Sequence, residues 1–539
     1  MSQLSPGTNY SEEPLRIPQV VGAPTSVTAM LGVAERGPIG VPTRVTSWKE
    51  WVDIFGSYIT SSNAPQCVQA FFNNVRGGQA QLVFVRVVHY SDITDNATGT
   101  ATKATIVMPN ATPATTLTAN GKTEGTYAAA LSVVISAATS GKAAEFNLSI
   151  LKNGIVQQNG FFPNLTMGTY TSPNLPTDDR YAPNIVNKAG TGSQLVALVD
   201  ALVEDTATAR RPTNGTYVLA GGNDGLTSLA DTDFTGDSAA GTGLYALDTV
   251  PDLALLGVPG RATSAVHNAM LTYCETYRES RMFAVLDPPA AQTASQMVTY
   301  VESTASLKNA SEFGAIYWPE YKSLNPNKAI FGNANDTITI PPSGGVLGCY
   351  ARRDASSPAG VHKQPANVVH GRIHGAIGLA DESVKKRPVR DIIYPANINP
   401  IWGGDGSPIH IDGSANLKRD SNFPSVGERR GAINVASSIV DAMPIFKHEN
   451  ITDDLLGQMN RTVKNFLRTR TRNGAFASKN PDEAFFVDTG RGLNPPSERV
   501  ARRTNMRIGL ATAKPNEFTN ILLSQDTRLL EAELVESLQ

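Results

Sequence analysis

Three histidines, His362, His370 and His374, sit within one short stretch, and HGRIH sets two imidazoles four residues apart. On a helix that spacing puts two metal ligands on one face. Activating a metal-bound water there needs a glutamate directly after the first histidine, but Gly371 occupies that place, and Gly371 and Gly375 weaken the required helix. No metal site is expected. Cys67, Cys274 and Cys349 are odd in number, far apart and without CxxC spacing, so they read as buried thiols in a reducing compartment. The strands expected before VPG, DPP and WPE end in loops of the kind that form active sites at the carboxyl edge of a doubly wound sheet. An α/β enzyme with its site across 252–321 is therefore the alternative reading. Against it, GVPGRATS lacks the GxxxxGK[ST] phosphate cradle, no GxGxxG follows a strand, and no GxSxG elbow occurs. Asp287 precedes two prolines and is expected to serve a turn or strand end. No catalytic residue is assigned and no cofactor is required.

The most interpretable charge pattern lies in 452–472. Thr452 can cap a helix there, Asp453 and Asp454 suit its positive end, and Arg468, Arg470 and Arg472 suit its negative end. At about 100° per residue, Leu455, Met459, Val463 and Phe466 share one side while Arg461, Lys464, Arg468 and Arg472 gather opposite. A solvated stripe and a docking face for an acidic partner both fit that pattern.

The surrounding chain has 539 residues, enough for several domains, and a formal charge of −2, which gives no global attraction to nucleic acid or acidic membranes. Its start lacks a basic and apolar leader, and no run approaches the ~18 apolar residues of a membrane span. Pro6, Gly7, Pro14, Pro18 and Gly22 make 1–22 an extended arm. SVTAMLGVAERG then reads as a strand, SWKEWVDIF as a Ser-capped helix, the Val68–Val75 region as a second helix stopping at Gly77-Gly78, and QLVFVRVV as a buried strand, together a βαβ unit. From 92 to 225 a Thr-, Ala-, Asn- and Gly-rich texture with alternating runs and a turn at Asn153-Gly154 predicts a β-rich insertion closed by GGNDGL. The α/β rhythm returns between 250 and 390, helices are expected over 431–446 and 452–472, and EAFFVD, NMRIGLATA and NILLSQ read as strands. The last has no hairpin partner in the sequence, so it must join a sheet elsewhere.

Taken in order, PGTNYSEEP, TAMLGVAERGP, VTSWKEWVDIFG, GGNDGL, GLYALDTVPDLALLGVPG, FAVLDPP, IPPSGGVLGCYARRDAS with KQPAN, INPIWG and LATAKPNEFTNILLSQ resemble the contractile tail sheath family of myophages and pyocin-like injection systems. The resemblance spans nearly the whole chain. It implies a mixed α/β fold: an N-terminal arm (1–22), an inner domain built from 23–91 and 370–513, an outer β-rich insertion (92–225), a middle α/β domain (226–369) and a C-terminal arm (514–539). It also implies a structural role without catalysis, in stacked hexameric rings around a tail tube that contract to drive the tube through a host envelope. The implied partners are further copies, the tube protein, and baseplate and terminator proteins, with no direct nucleic-acid contact and no membrane insertion; the implied location is the virion tail, assembled in the bacterial cytoplasm. Both arms would add strands to neighbouring subunits, with Tyr10, Glu12, Phe518, Ile521, Leu522 and Leu523 as the arm residues. Arg461, Lys464, Arg468 and Arg472 would face the tube. Beyond the family's usual end the chain adds DTRLLEAELVESLQ, where Leu530, Leu534 and Leu538 predict a short helix.

Overall fold

The computed structural model describes residues 20–76, 81–91, 100–112, 114–403, 406–521 and 523. Tyr10, Glu12 and Leu522 therefore lie outside the described residues, as does Gly77-Gly78.

An eight-stranded sheet is the frame. Its strands stand in the order His410–Ile411, Ile398–Trp402, Gly314–Trp318, Phe283–Leu286, Leu255–Gly257, Thr28–Gly32, Leu82–Arg86 and Thr43–Val45; the six inner strands are parallel and each edge strand is antiparallel. Segments from 23–91, 226–369 and 370–513 thus share one sheet and one hydrophobic cluster. Strands of unbroken apolar residues suit a sheet covered on both faces. The first helix follows from its spacing: Ser47 accepts from Glu50 N, and Trp51 and Phe55 are buried, each ring packing against Phe84 of the sheet.

The glycines of IPPSGGVLGCYARRD have a packing reason. Helix Pro342–Ala355 crosses helix Ala64–Val75 so closely that a Cβ at Gly344 would lie 2.2 Å from Cys67 O, and one at Gly348 would lie 2.6 Å from Asn74 Cβ. At the start of this helix Asp287 accepts from Ser343 N at 2.7 Å, Ser343 Oγ at 2.8 Å and Gly260 N at 3.1 Å. Burial pushes its carboxyl up to about 7 in spite of these donors. Asp287 therefore latches a strand end to a helix start.

The insertion has its own hydrophobic cluster and two antiparallel sheets, one of four strands and one of three. Strands Glu145–Lys152 and Ile155–Thr166 turn at Asn153 (φ 52°) and Gly154 (φ 79°), the positive pair a type I′ hairpin requires. The insertion is seated by Arg86, whose Nη1 donates to Gly37 O and Glu124 O, and by a 2.8 Å ion pair between Lys152 and Glu35.

A third cluster joins helix Val426–Ala442 to helix Asp453–Arg472 and to the antiparallel hairpin Phe485–Asp488/Arg507–Leu510. The helix expected from 431 begins at Val426 instead, capped by Ser425, and after Ala442 it tightens to a 3₁₀ turn over Met443–Phe446. No described helix is long and apolar enough to cross a membrane.

Candidate assembly surfaces

The C-terminal arm begins where strand Arg507–Leu510 ends. Ala511 N donates to Ala484 O, Ala477 N donates to Ala511 O, and then side chains take over. Glu428, in the first turn of helix Val426–Ala442 and with a side chain only 1% exposed, accepts from Thr512 Oγ1 and Lys514 Nζ at 2.7 Å each. A buried carboxylate needs such partners, and donors from Lys514, Ser425 and Thr512 hold it in its charged form, below the usual carboxylate range, against desolvation. Past Pro515 the hold loosens. Ser414 Oγ donates to Glu517 at 3.3 Å and the Phe518 ring meets Tyr394 edge-on at 6.3 Å between centroids. Phe518, Ile521 and Leu523 are nonetheless 76%, 86% and 97% exposed, and among the described residues 513–521 form no strand. The strand read into NILLSQ is thus absent from the described part of that stretch in the isolated chain.

The N-terminal side is rooted on the same helix. Ala23 N donates to Ser438 Oγ, Asn434 Nδ2 donates to Ala23 O at 2.8 Å, and Arg430 Nη2 donates to Thr25 O at 3.1 Å. Arg430 is itself buried against Asp354 at 2.6 Å. Helix Val426–Ala442 therefore holds the roots of both arms. Glu428 and Ser438 are ten residues apart, about 15 Å along a rigid rod.

The hairpin beside these roots is unfinished as a sheet. Among the described residues it has two strands; on the outer side of Phe485–Asp488, Phe485 N donates to Pro481 O and Val487 O accepts from Asn460 Nδ2 at 3.1 Å, while Arg507–Leu510 has no second strand beside it. The Phe486 ring covers Gly509, where a Cβ would lie 2.1 Å from the ring, yet Phe486 stays 52% exposed.

Helix Asp453–Arg472 runs as its pattern predicts. Thr452 Oγ1 accepts from Leu455 N; Leu455, Met459, Val463 and Phe466 are buried; Arg461, Arg468 and Arg472 are exposed and Lys464 half-buried. Arg461 reaches Asp454 at 3.7 Å, both largely exposed, a contact worth little. Lys464, Arg468 and Arg472 have no ion-pair partner among the described residues, so this face keeps its charge.

The histidines do not form a site. His370 ends the short helix Asn367–His370, Arg372 bridges to His410, and His374 lies in a turn, so the two imidazoles never share a helical face. His362 is buried, with its imidazole pushed down to about 3 by desolvation and by Arg470. Among the described residues no three His, Cys, Asp or Glu side chains could hold a metal. Cys67, Cys274 and Cys349 are free and buried; burial raises all three thiols, that of Cys349 to about 11. The Asp287 carboxylate at the carboxyl edge is taken up by its three donors.

The shape of the chain is shared. A sheath subunit from a contracted extracellular contractile injection system (PVC) covers 98% of this chain and 100% of its own, at 17% identity and a TM-score of 0.54. The chain has the contractile sheath fold. The anti-feeding prophage helical sheath in its contracted state matches 98% of this chain at 15% identity and a TM-score of 0.54. A sheath tail protein from Desulfitobacterium hafniense matches 90% of it at 13% identity and a TM-score of 0.57. No protein-family model matches the sequence, and no curated protein matches it.

Sequence reasoning missed the arm-root residues Glu428, Arg430, Asn434 and Ser438. A polar residue in a helix reads as exposed until its partner is known; only the S-x-x-E spacing of Ser425 and Glu428 marked the helix start.

Proposed function

We propose that the chain is a structural sheath subunit that polymerises around a tail tube and contracts to drive the tube through a cell envelope. The observation that carries this is the C-terminal arm: it is fixed at Glu428 and continues with Ile521 and Leu523 almost fully exposed, directly after a hairpin strand, Arg507–Leu510, that has an open edge. A donated strand would supply what each lacks, backbone partners for the arm and a third strand along Arg507–Leu510 for the ribbon. Phe518, Ile521, Leu522 and Leu523 would enter a neighbour's sheet, and Tyr10 and Glu12 on the N-terminal arm would do the same.

In this reading 23–91 and 370–513 form the body facing the tube, 226–369 extends its sheet, 92–225 faces outward, and 1–22 and 514–539 are the linking arms. Arg461, Lys464, Arg468 and Arg472 would meet acidic groups on the tube. Subunits would stack as six-membered rings between a baseplate and a terminator, in a tail assembled in a bacterial cytoplasm. Contraction would be rigid-body rotation between two packings. Because one helix roots both arms, rotation of the body would bend the arms beyond Pro515 and before Ala23. Newly buried contact would supply the work, without nucleotide hydrolysis.

Deleting 519–539 spares the Glu428–Lys514 contact and removes the donated strand. The truncated protein should stay folded and monomeric where the full chain forms tubes in negative stain; normal tubes from the truncation would end the proposal.

A further inference from the structure

A second cationic surface is built from residues outside helix Asp453–Arg472. The C-terminal ends of helices Ala64–Val75 and Pro342–Ala355 meet the loop 362–374, and Arg352 ties them together. Its guanidinium donates to Asn74 O at 3.1 Å, His370 O at 3.0 Å and Arg372 O at 2.6 Å. Asn74 in turn accepts from His374 N at 2.7 Å. Arg76, Arg352, Arg353, Lys363 and Arg372 therefore share one surface. Burial and these cations hold both His370 and His374 below the ordinary imidazole range. The nearest carboxylate in sequence, Asp354, is turned inward onto Arg430. Two apolar side chains stand on the same surface, Val368 at 44% and Val369 at 72% exposure.

This surface borders the path of the arm. Arg353 and Lys363 line an open groove of about 800 Å³ whose other wall includes residues 513–518. The chain beyond it is complementary in two respects. From Asp526 onward it carries Asp526, Glu531, Glu533 and Glu536 against the single cation Arg528, and it interleaves them with Leu529, Leu530, Leu534, Val535 and Leu538. Seven residues separate Phe518, the last described residue with a contact to the body, from Asp526; the eight chain steps between them reach roughly 26 Å.

We propose that residues 526–539 dock on this surface of their own subunit before assembly, acidic groups on Arg76, Arg353, Lys363 and Arg372 and leucines on Val368 and Val369. Docked there, the segment keeps 519–525 at home until a neighbour's sheet edge offers backbone pairing. The basic helix Asp453–Arg472 offers charge alone, whereas here charge, exposed valines and the arm's own groove coincide.

The test is carbodiimide coupling of the full-length protein, held below its assembly concentration as a mixture of ¹⁴N- and ¹⁵N-labelled copies, read by mass spectrometry. The exposed pair Lys328–Asp336, at 2.7 Å, is the internal control. The expected product joins Lys363 to Glu531, Glu533 or Glu536 within one copy. Its yield should fall roughly ten-fold in Arg76→Glu/Arg372→Glu, where several attractive charge contacts become repulsive. Raising salt should lower the yield of the unsubstituted chain in the same direction, which keeps the test open if that variant fails to fold. The proposal is overturned by a Lys328–Asp336 product without any Lys363–tail product, by tail products that join only different copies, or by a yield indifferent to both the substitutions and salt. None of these readouts depends on tube formation, so the docking and the sheath reading fail separately.

Discussion

Replacing Ile521 and Leu523 by serine should separate folding from assembly. Both side chains are almost completely exposed, at 86% and 97%, so the isolated subunit has nothing to lose, and surface changes of this kind stay within about 0.5 kcal/mol. In a neighbour's sheet each would be buried, worth about 1.5–3 kcal/mol per side chain. Two such losses come to about 3–6 kcal/mol gross, and the rotamer freedom that Ile and Leu give up on burial, about 0.5–1 kcal/mol each, offsets part of it, leaving about 3 kcal/mol per subunit. That corresponds to roughly a hundred-fold rise in the critical concentration for polymerisation. Phe518 stays unchanged so that its contact with Tyr394 is preserved. Thermal unfolding of dilute subunit and sedimentation of a concentration series provide the two readouts. The reasoning is refuted if tubes form at the unsubstituted concentration, or if the isolated subunit loses more than about 2 kcal/mol, which would mean that these side chains are buried in their own chain.

Lys514→Met should cost about 1–2 kcal/mol in chemical denaturation, below the figure for breaking a fully buried pair because the Lys514 side chain is 64% exposed, and should shorten the lifetime of assembled tubes. Gly344→Ala forces a Cβ to within 2.2 Å of Cys67 O and should destabilise by about 1–3 kcal/mol, whereas Gly492→Ala, which meets open space, should be neutral in the same melt. Asp287, raised in the fold to about 7, contributes stability that is fully present below its unfolded value near 4 and is lost as pH rises through about 7. Asp287→Asn should therefore remove a downward slope of stability between those limits in urea titrations at stepped pH. Reversing Arg461, Lys464 and Arg468 together to glutamate should leave the melting temperature nearly unchanged and abolish co-assembly with tube protein; unaltered co-assembly would move the tube contact elsewhere.

Local signals were enough for the elements. The spacing of Trp51 and Phe55, the Thr452 cap with its acidic first turn, and Asn153-Gly154 each dictate a structure through neighbours in sequence. Strand order was another matter. Leu255–Gly257 lies beside Thr28–Gly32 across the entire insertion, a pairing that hydrophobic runs permit but cannot specify. Helix Val426–Ala442 was read five residues short because Glu428, Arg429 and Arg430 look solvent-bound; burial of Glu428 and Arg430 depends on Lys514 and Asp354, far away in the chain. The same blindness hid the arm roots. Gly344 and Gly348, four apart, were legible in principle as a close helix contact. NILLSQ was read as a strand from its β-competent residues alone, and its described residues form none in this chain, because a strand exists only where backbone partners stand beside it.

The most direct measurement is a cryo-EM reconstruction of the assembled polymer, at a resolution that traces main chain from Lys514 onward. It should show residues 519–523 extended and hydrogen-bonded along an open edge of the Phe485–Asp488/Arg507–Leu510 hairpin of a different copy. Density that returns each C-terminal segment to its own subunit, leaving every hairpin with two strands, would contradict the account.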